Sequence, residues 1–147
     1  MAVITTDILI EGIRRDDVLD WLGDRANHAR LLQGAFDGVK EIGPGDFELT
    51  VKAPPHTRTL RYTFDHVDTE HAGRRVHVKT AGRRLDGKLH YSLRTTKPST
   101  NTMVTLHADF DSGVFGALVE QMGLRKRLEE GYRKVLENLQ RELDAKR

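Results

Sequence analysis

Along most of the chain apolar side chains return at every second position, and only near the end do they return at every third or fourth. Residues 3–11 carry Ile4, Thr6, Ile8 and Ile10 on one side, with Thr5 and Asp7 between them, the period of a half-buried strand. From 16 to 34 the period lengthens. Val18, Leu19, Trp21 and Leu22, then Ala26, Ala29, Leu31 and Leu32, predict two short helices, with Asp16 or Asp17 near the first cap and Gly23 and Gly34 as stops. Residues 36–42 and 46–53 predict a hairpin across Gly43-Pro44-Gly45, residue types that supply a turn's backbone angles. Strict alternation then resumes in four further runs. Leu60, Tyr62 and Phe64 share a face, as do Val76 and Val78; so do Leu85, Leu89, Tyr91 and Leu93, and Val104, Leu106, Ala108 and Phe110. One face is wet throughout, which marks an antiparallel sheet.

Complementary pairing across the turns predicts the register. Centring the last hairpin on Pro98-Ser99 sets Lys88 opposite Asp109 and His90 opposite His107, and a three-residue loop His71-Ala72-Gly73 sets Asp65 opposite Lys79. Pro54-Pro55 reads as a turn between strands, and Gly87, inside a strand pattern, as a bulge that helps the sheet curl. The closing stretch carries Leu118, Val119, Met122, Leu128, Tyr132, Val135, Leu136, Leu139 and Leu143 in steps of three and four, with a kink or break expected at Gly123. A sheet with one apolar face needs a cover, and a single long amphipathic helix covers it only if the sheet curls around the helix. The expected fold is therefore α+β, in one domain over 1–147: a curved antiparallel seven-stranded sheet, two short helices after strand 1, and a long C-terminal helix across the concave face.

That order of elements resembles the START-like or helix-grip (SRPBCC) superfamily, the birch-pollen-allergen, polyketide cyclase and lipid-transfer group. The stretch VLDWLGDRANHARLLQGAFDGVKEIGPGDFEL resembles its helix pair, turn and first hairpin, and LRKRLEEGYRKVLENLQRELD its closing helix. The resemblance spans essentially the whole chain and implies a cavity between sheet and helix that binds a small, mostly apolar molecule such as a lipid or polyketide. The lining expected is Trp21, Tyr62, Phe64, Val78, Leu89, Tyr91, Leu106, Ala108, Phe110, Phe115 and Met122. Members range from carriers to cyclases to interaction modules, and fold alone does not choose among them.

Tyr62 and Tyr91 each place a hydroxyl on an apolar face, and a buried hydroxyl needs a partner. They are either core tyrosines whose hydroxyls reach backbone or water, or polar contacts that orient a ligand. Trp21 is a core anchor of the helix pair or a ligand platform. His66 continues the inward series Leu60, Tyr62, Phe64, which would place it at a cavity mouth without an acid to orient it. A cyclase- or dehydratase-like enzyme would have only Tyr62, Tyr91 and His66 to aim at a developing enolate; no catalytic residue is assigned. His77, His90 and His107 fall on the outer face, and the pair His90–His107 falls short of the three or four ligands zinc takes. No metal and no cofactor is expected.

Composition narrows the partners. With no cysteine, disulfides, thiolate metal sites and cysteine nucleophiles are excluded. Charged residues are 31% of the chain, yet 24 Lys+Arg against 22 Asp+Glu leave +2, which argues against a dedicated nucleic-acid binder. The basic pairs Arg14-Arg15, Arg74-Arg75 and Arg83-Arg84 fall near predicted turns and read as solvated loops. The first residues lack a signal-peptide pattern and no window has the apolar length of a membrane span. A soluble cytoplasmic protein, monomer or homodimer, is expected.

Overall fold

The computed structural model describes residues 2–53, 56–70, 74–82, 86–97, 100–110 and 118–146, with the side chains of 2, 56 and 118–122 outside that description. Seven strands form one antiparallel sheet: β1 (Ala2–Ile10), β2 (Gly38–Gly43), β3 (Asp46–Ala53), β4 (His56–Asp68), β5 (Arg74–Ala81), β6 (Gly87–Thr95) and β7 (Thr102–Phe110). Their spatial order is β1-β7-β6-β5-β4-β3-β2. Between β1 and β2 lie α1 (Arg15–Leu22), a single 3-10 turn (Arg25–Asn27) and α2 (His28–Leu32); α3 (Leu118–Asp144) closes the chain. This is the helix-grip arrangement, and the alternating residues behave as their period requires: β7 is buried at every second position from Thr102 to Phe110.

The last hairpin has the expected register, with Lys88 opposite Asp109 and His90 opposite His107. The β4–β5 pair does not. Lys79 faces Thr63, and the register shifts between Phe64 and His66 because Asp65 is an extra residue bulged out of β4. A bulge reverses the side-chain parity beyond it. Val67, paired with the buried Val76, turns toward α1, where its Cγ2 lies 3.1 Å from the position a Cβ would take on Gly23. Asp65 still reaches Lys79 diagonally, at 3.7 Å. Gly87 is not a bulge: it pairs in unbroken register with Thr80 and Phe110, and the backbone of Asp109 passes so close that a Cβ would collide with it.

α1 is capped by Arg14 without a side-chain cap bond, and Asp16 and Asp17, expected near this end, sit in its first turn and favour the positive helix end. The first hairpin turns through Pro44 and Gly45, whose φ of +73° is a conformation that glycine adopts without strain. α3 runs unbroken through Gly123. It buries Leu128, Tyr132, Val135, Leu136, Leu139 and Leu143 against the sheet. Buried Asn138 donates to the carbonyls of Leu31 (3.0 Å) and Gln33 (2.8 Å), which fastens α3 to the end of α2. Arg125 and Gln140 donate to the carbonyls of Val3 and Leu9, giving partners to the edge strand β1. No helix among the described residues is long and apolar enough to cross a membrane.

Candidate ligand site

The inner face of the sheet holds one polar chain in an apolar surround. His28 is completely buried, and its Nε2 lies 2.7 Å from the Leu22 carbonyl, which can only accept, so Nε2 carries the proton. Nδ1 is then the acceptor, and the Tyr62 hydroxyl donates to it at 2.7 Å. The Tyr91 hydroxyl donates in turn to Tyr62 Oη, at 2.9 Å. Burial lowers the pKa of His28 to about 4, against weaker raising effects of the Leu22 carbonyl and Asp24, so the ring is neutral at physiological pH. Burial likewise raises the pKa values of Tyr62, Tyr91 and Tyr132. The two tyrosines therefore satisfy one another and His28. Their hydroxyls are engaged without a ligand, by side chains where backbone or water was expected.

A narrow crevice, without room for a water-sized sphere, lies between Leu60, Thr80, Ala108, Asp109, Phe110, Leu128 and Tyr132. Of the expected lining among the described residues, only Ala108 and Phe110 border it. Tyr62, Val78, Leu89, Tyr91 and Leu106 share the inner face and are fully packed, while Phe64 is half-buried with its ring edge-on to His28 at 5.2 Å. Phe115 and the Met122 side chain lie outside the described residues, as do Leu85, the Leu118 and Val119 side chains, Arg83-Arg84 and the loops at Pro54-Pro55, His71–Gly73 and Pro98-Ser99. Trp21 belongs to the core cluster and to the wall of a separate open surface cleft of about 530 Å³, beside Ile13, Asp17, Asp20, Asp24 and Leu143.

His66 is not at the mouth of the interior. Beyond the bulge at Asp65 it points outward, 58% exposed, stacked on His77 at 4.6 Å and bonded to Asp65 at 3.0 Å. The three groups an enolate-stabilising enzyme would need are thus split between the two faces of the sheet. Residue-by-residue reading missed His28, although His28, Leu31 and Leu32 share one helical face by spacing; it also left Thr80, Leu128 and Tyr132 out of the lining. Among the described residues no three His, Asp or Glu side chains gather as a metal site would require.

A sequence profile of the family described as polyketide cyclase / dehydrase and lipid transport matches residues 1–144. The chain belongs to that family. Solved structures share the fold at low identity. The Zhui aromatase/cyclase from Streptomyces sp. R1128 is 16% identical with a TM-score of 0.67, over 97% of this chain and 93% of that one. XoxI from Bacillus cereus is 16% identical with a TM-score of 0.66, over 100% and 99%. TTHA0849 from Thermus thermophilus is 13% identical with a TM-score of 0.65, over 98% of each. None of the curated proteins matches the sequence. The family's description covers both cyclase/dehydrase chemistry and lipid transport.

Proposed function

We propose that the protein binds a small hydrophobic molecule, lipid- or polyketide-like, between the sheet and α3 where Ala108 faces Leu128 and Tyr132. The observation that carries this reading is the crevice itself: in an interior packed by Leu, Val and Tyr, the smallest inward side chain of β7 stands opposite Leu128 and Tyr132 at a narrow seam between sheet and helix. Apolar walls with a few polar groups at the border, here Thr80, Asp109 and Tyr132, are the usual make-up of a ligand site. The crevice is narrower than a ligand, so binding parts the walls around Phe110 and Leu128. Tyr62, Tyr91 and His28 do not border the crevice; they bond one another in the packed interior.

Titration with the uncharged dye N-phenylnaphthylamine tests this. Saturable binding to the wild type, weakened at least about tenfold by Ala108→Phe while unfolding stays cooperative, is the expected result, because the ring occupies the space the dye needs. Absence of saturable binding would instead assign the protein to the filled-core interaction modules of its fold.

A further inference from the structure

On the outer face of the sheet four histidines stand in line across four adjacent strands: His66 on β4, His77 on β5, His90 on β6 and His107 on β7. Their registers make each the direct neighbour of the next. The ring centroids are 4.6, 5.7 and 5.1 Å apart, and the two end pairs are stacked within 15° and 24° of parallel. Thr5 of β1 meets the far end, with its hydroxyl 3.3 Å from His107 Nδ1.

We propose that this row is an acid-sensitive latch: neutral rings stack and hold the middle of the sheet together, and protonation sets like charges on neighbouring rings and loosens β5 and β6 over the interior. The flanking charges are unevenly shared. From β4 the row faces Asp65 and Asp68, from β5 Arg75 and Lys79, from β6 Lys88, from β7 Asp109, and from β1 Asp7 one pair along from Thr5. Carboxylates serve three of the four rings, with Asp65 3.0 Å from His66, Asp68 3.8 Å from His77 and Asp109 3.0 Å from His107. His90 has no ion-pair partner among the described residues. Burial, Arg75 and the neighbouring rings lower its pKa to about 4, and burial with His66 lowers that of His77. The central rings are therefore the ones that acid makes unfavourable. Such a row differs from scattered surface histidines because each protonation makes the next harder.

Urea unfolding of the wild type and the His77→Gln/His90→Gln variant, followed from about pH 7.5 to about 4.5, tests the latch. The wild-type folding constant should fall roughly tenfold further than the variant's over that range, the part-exposed rings contributing less than fully buried ones would. Parallel profiles overturn the proposal. Should the double variant not fold, His90→Gln alone should show a smaller effect of the same sign. Amide protection should fall in β5 and β6 before α3 as the wild type is acidified; simultaneous loss in all three contradicts a local latch. Release of an interior ligand by acid rests on the binding reading above. Wild-type affinity for N-phenylnaphthylamine should drop in acid more than the variant's, and equal drops reject that consequence. If the dye does not bind at neutral pH, the binding reading fails, while the urea profiles still decide the latch.

Discussion

Toward its C-terminal end α3 lays Val135, Leu136, Leu139 and Leu143 into the core with at most 3% exposure, while Asn138 ties it to α2. One to two turns earlier the same stripe, at Leu128 and Tyr132, faces Thr80 and Ala108 across a narrow crevice. Both stretches come from one amphipathic pattern, so helix periodicity does not distinguish them. The difference lies in the sheet: small Ala108 stands opposite the helix where Leu or Val would close the gap. A stability-bearing half and the half proposed to meet a ligand thus share one helix, and large-to-small changes should tell them apart.

The largest effect is expected at Leu136. Leu136→Ala should cost about 2–5 kcal/mol in chemical unfolding, whereas Leu128→Ala, which enlarges an existing crevice, should fall at the low end of that range. Equal losses would erase the distinction between the halves.

Acid should act on the packed interior next. His28 is neutral when folded, with a pKa of about 4 against an ordinary 6.5, so below 6.5 the unfolded chain takes up the proton first. Its contribution is complete above pH 6.5, declines as pH falls to about 4 and then levels off, a loss of roughly 3 kcal/mol at the limit. His28→Gln should flatten this part of the stability profile, measured by urea unfolding. Tyr91→Phe should matter less. It removes the donor to Tyr62 but leaves Tyr62 donating to His28, so about 1 kcal/mol is expected from thermal unfolding.

The sheet, the order of its elements, the closing helix and the last hairpin's register were legible because alternation and charge pairing are local signals. The bulge at Asp65 was not. Alternation through Phe64 continues smoothly to His66, and only the paired strand reveals the extra residue that turns His66 out. Gly87 misled for the opposite reason: the glycine answers to the Asp109 backbone beside it, a neighbour distant in sequence. In the site, Ala108 and Phe110 were legible as inward residues. Which inward residues pack and which border space depends on volumes summed across strands and helix, and periodicity does not carry that sum.

Ala108→Val should change stability by no more than about 1 kcal/mol, since it adds methyl groups toward existing space; a loss well above that would mean the crevice does not accept volume.

The most direct measurement is a methyl-resolved NMR titration of the wild-type protein with N-phenylnaphthylamine. Saturable shifts at Leu60, Ala108 and Leu128, with Leu139 unmoved, are expected if the ligand lies between β7 and the first half of α3. Shifts confined to Ile13 and Leu143, at the open cleft beside Trp21, or no saturable shift at all, would contradict an interior site.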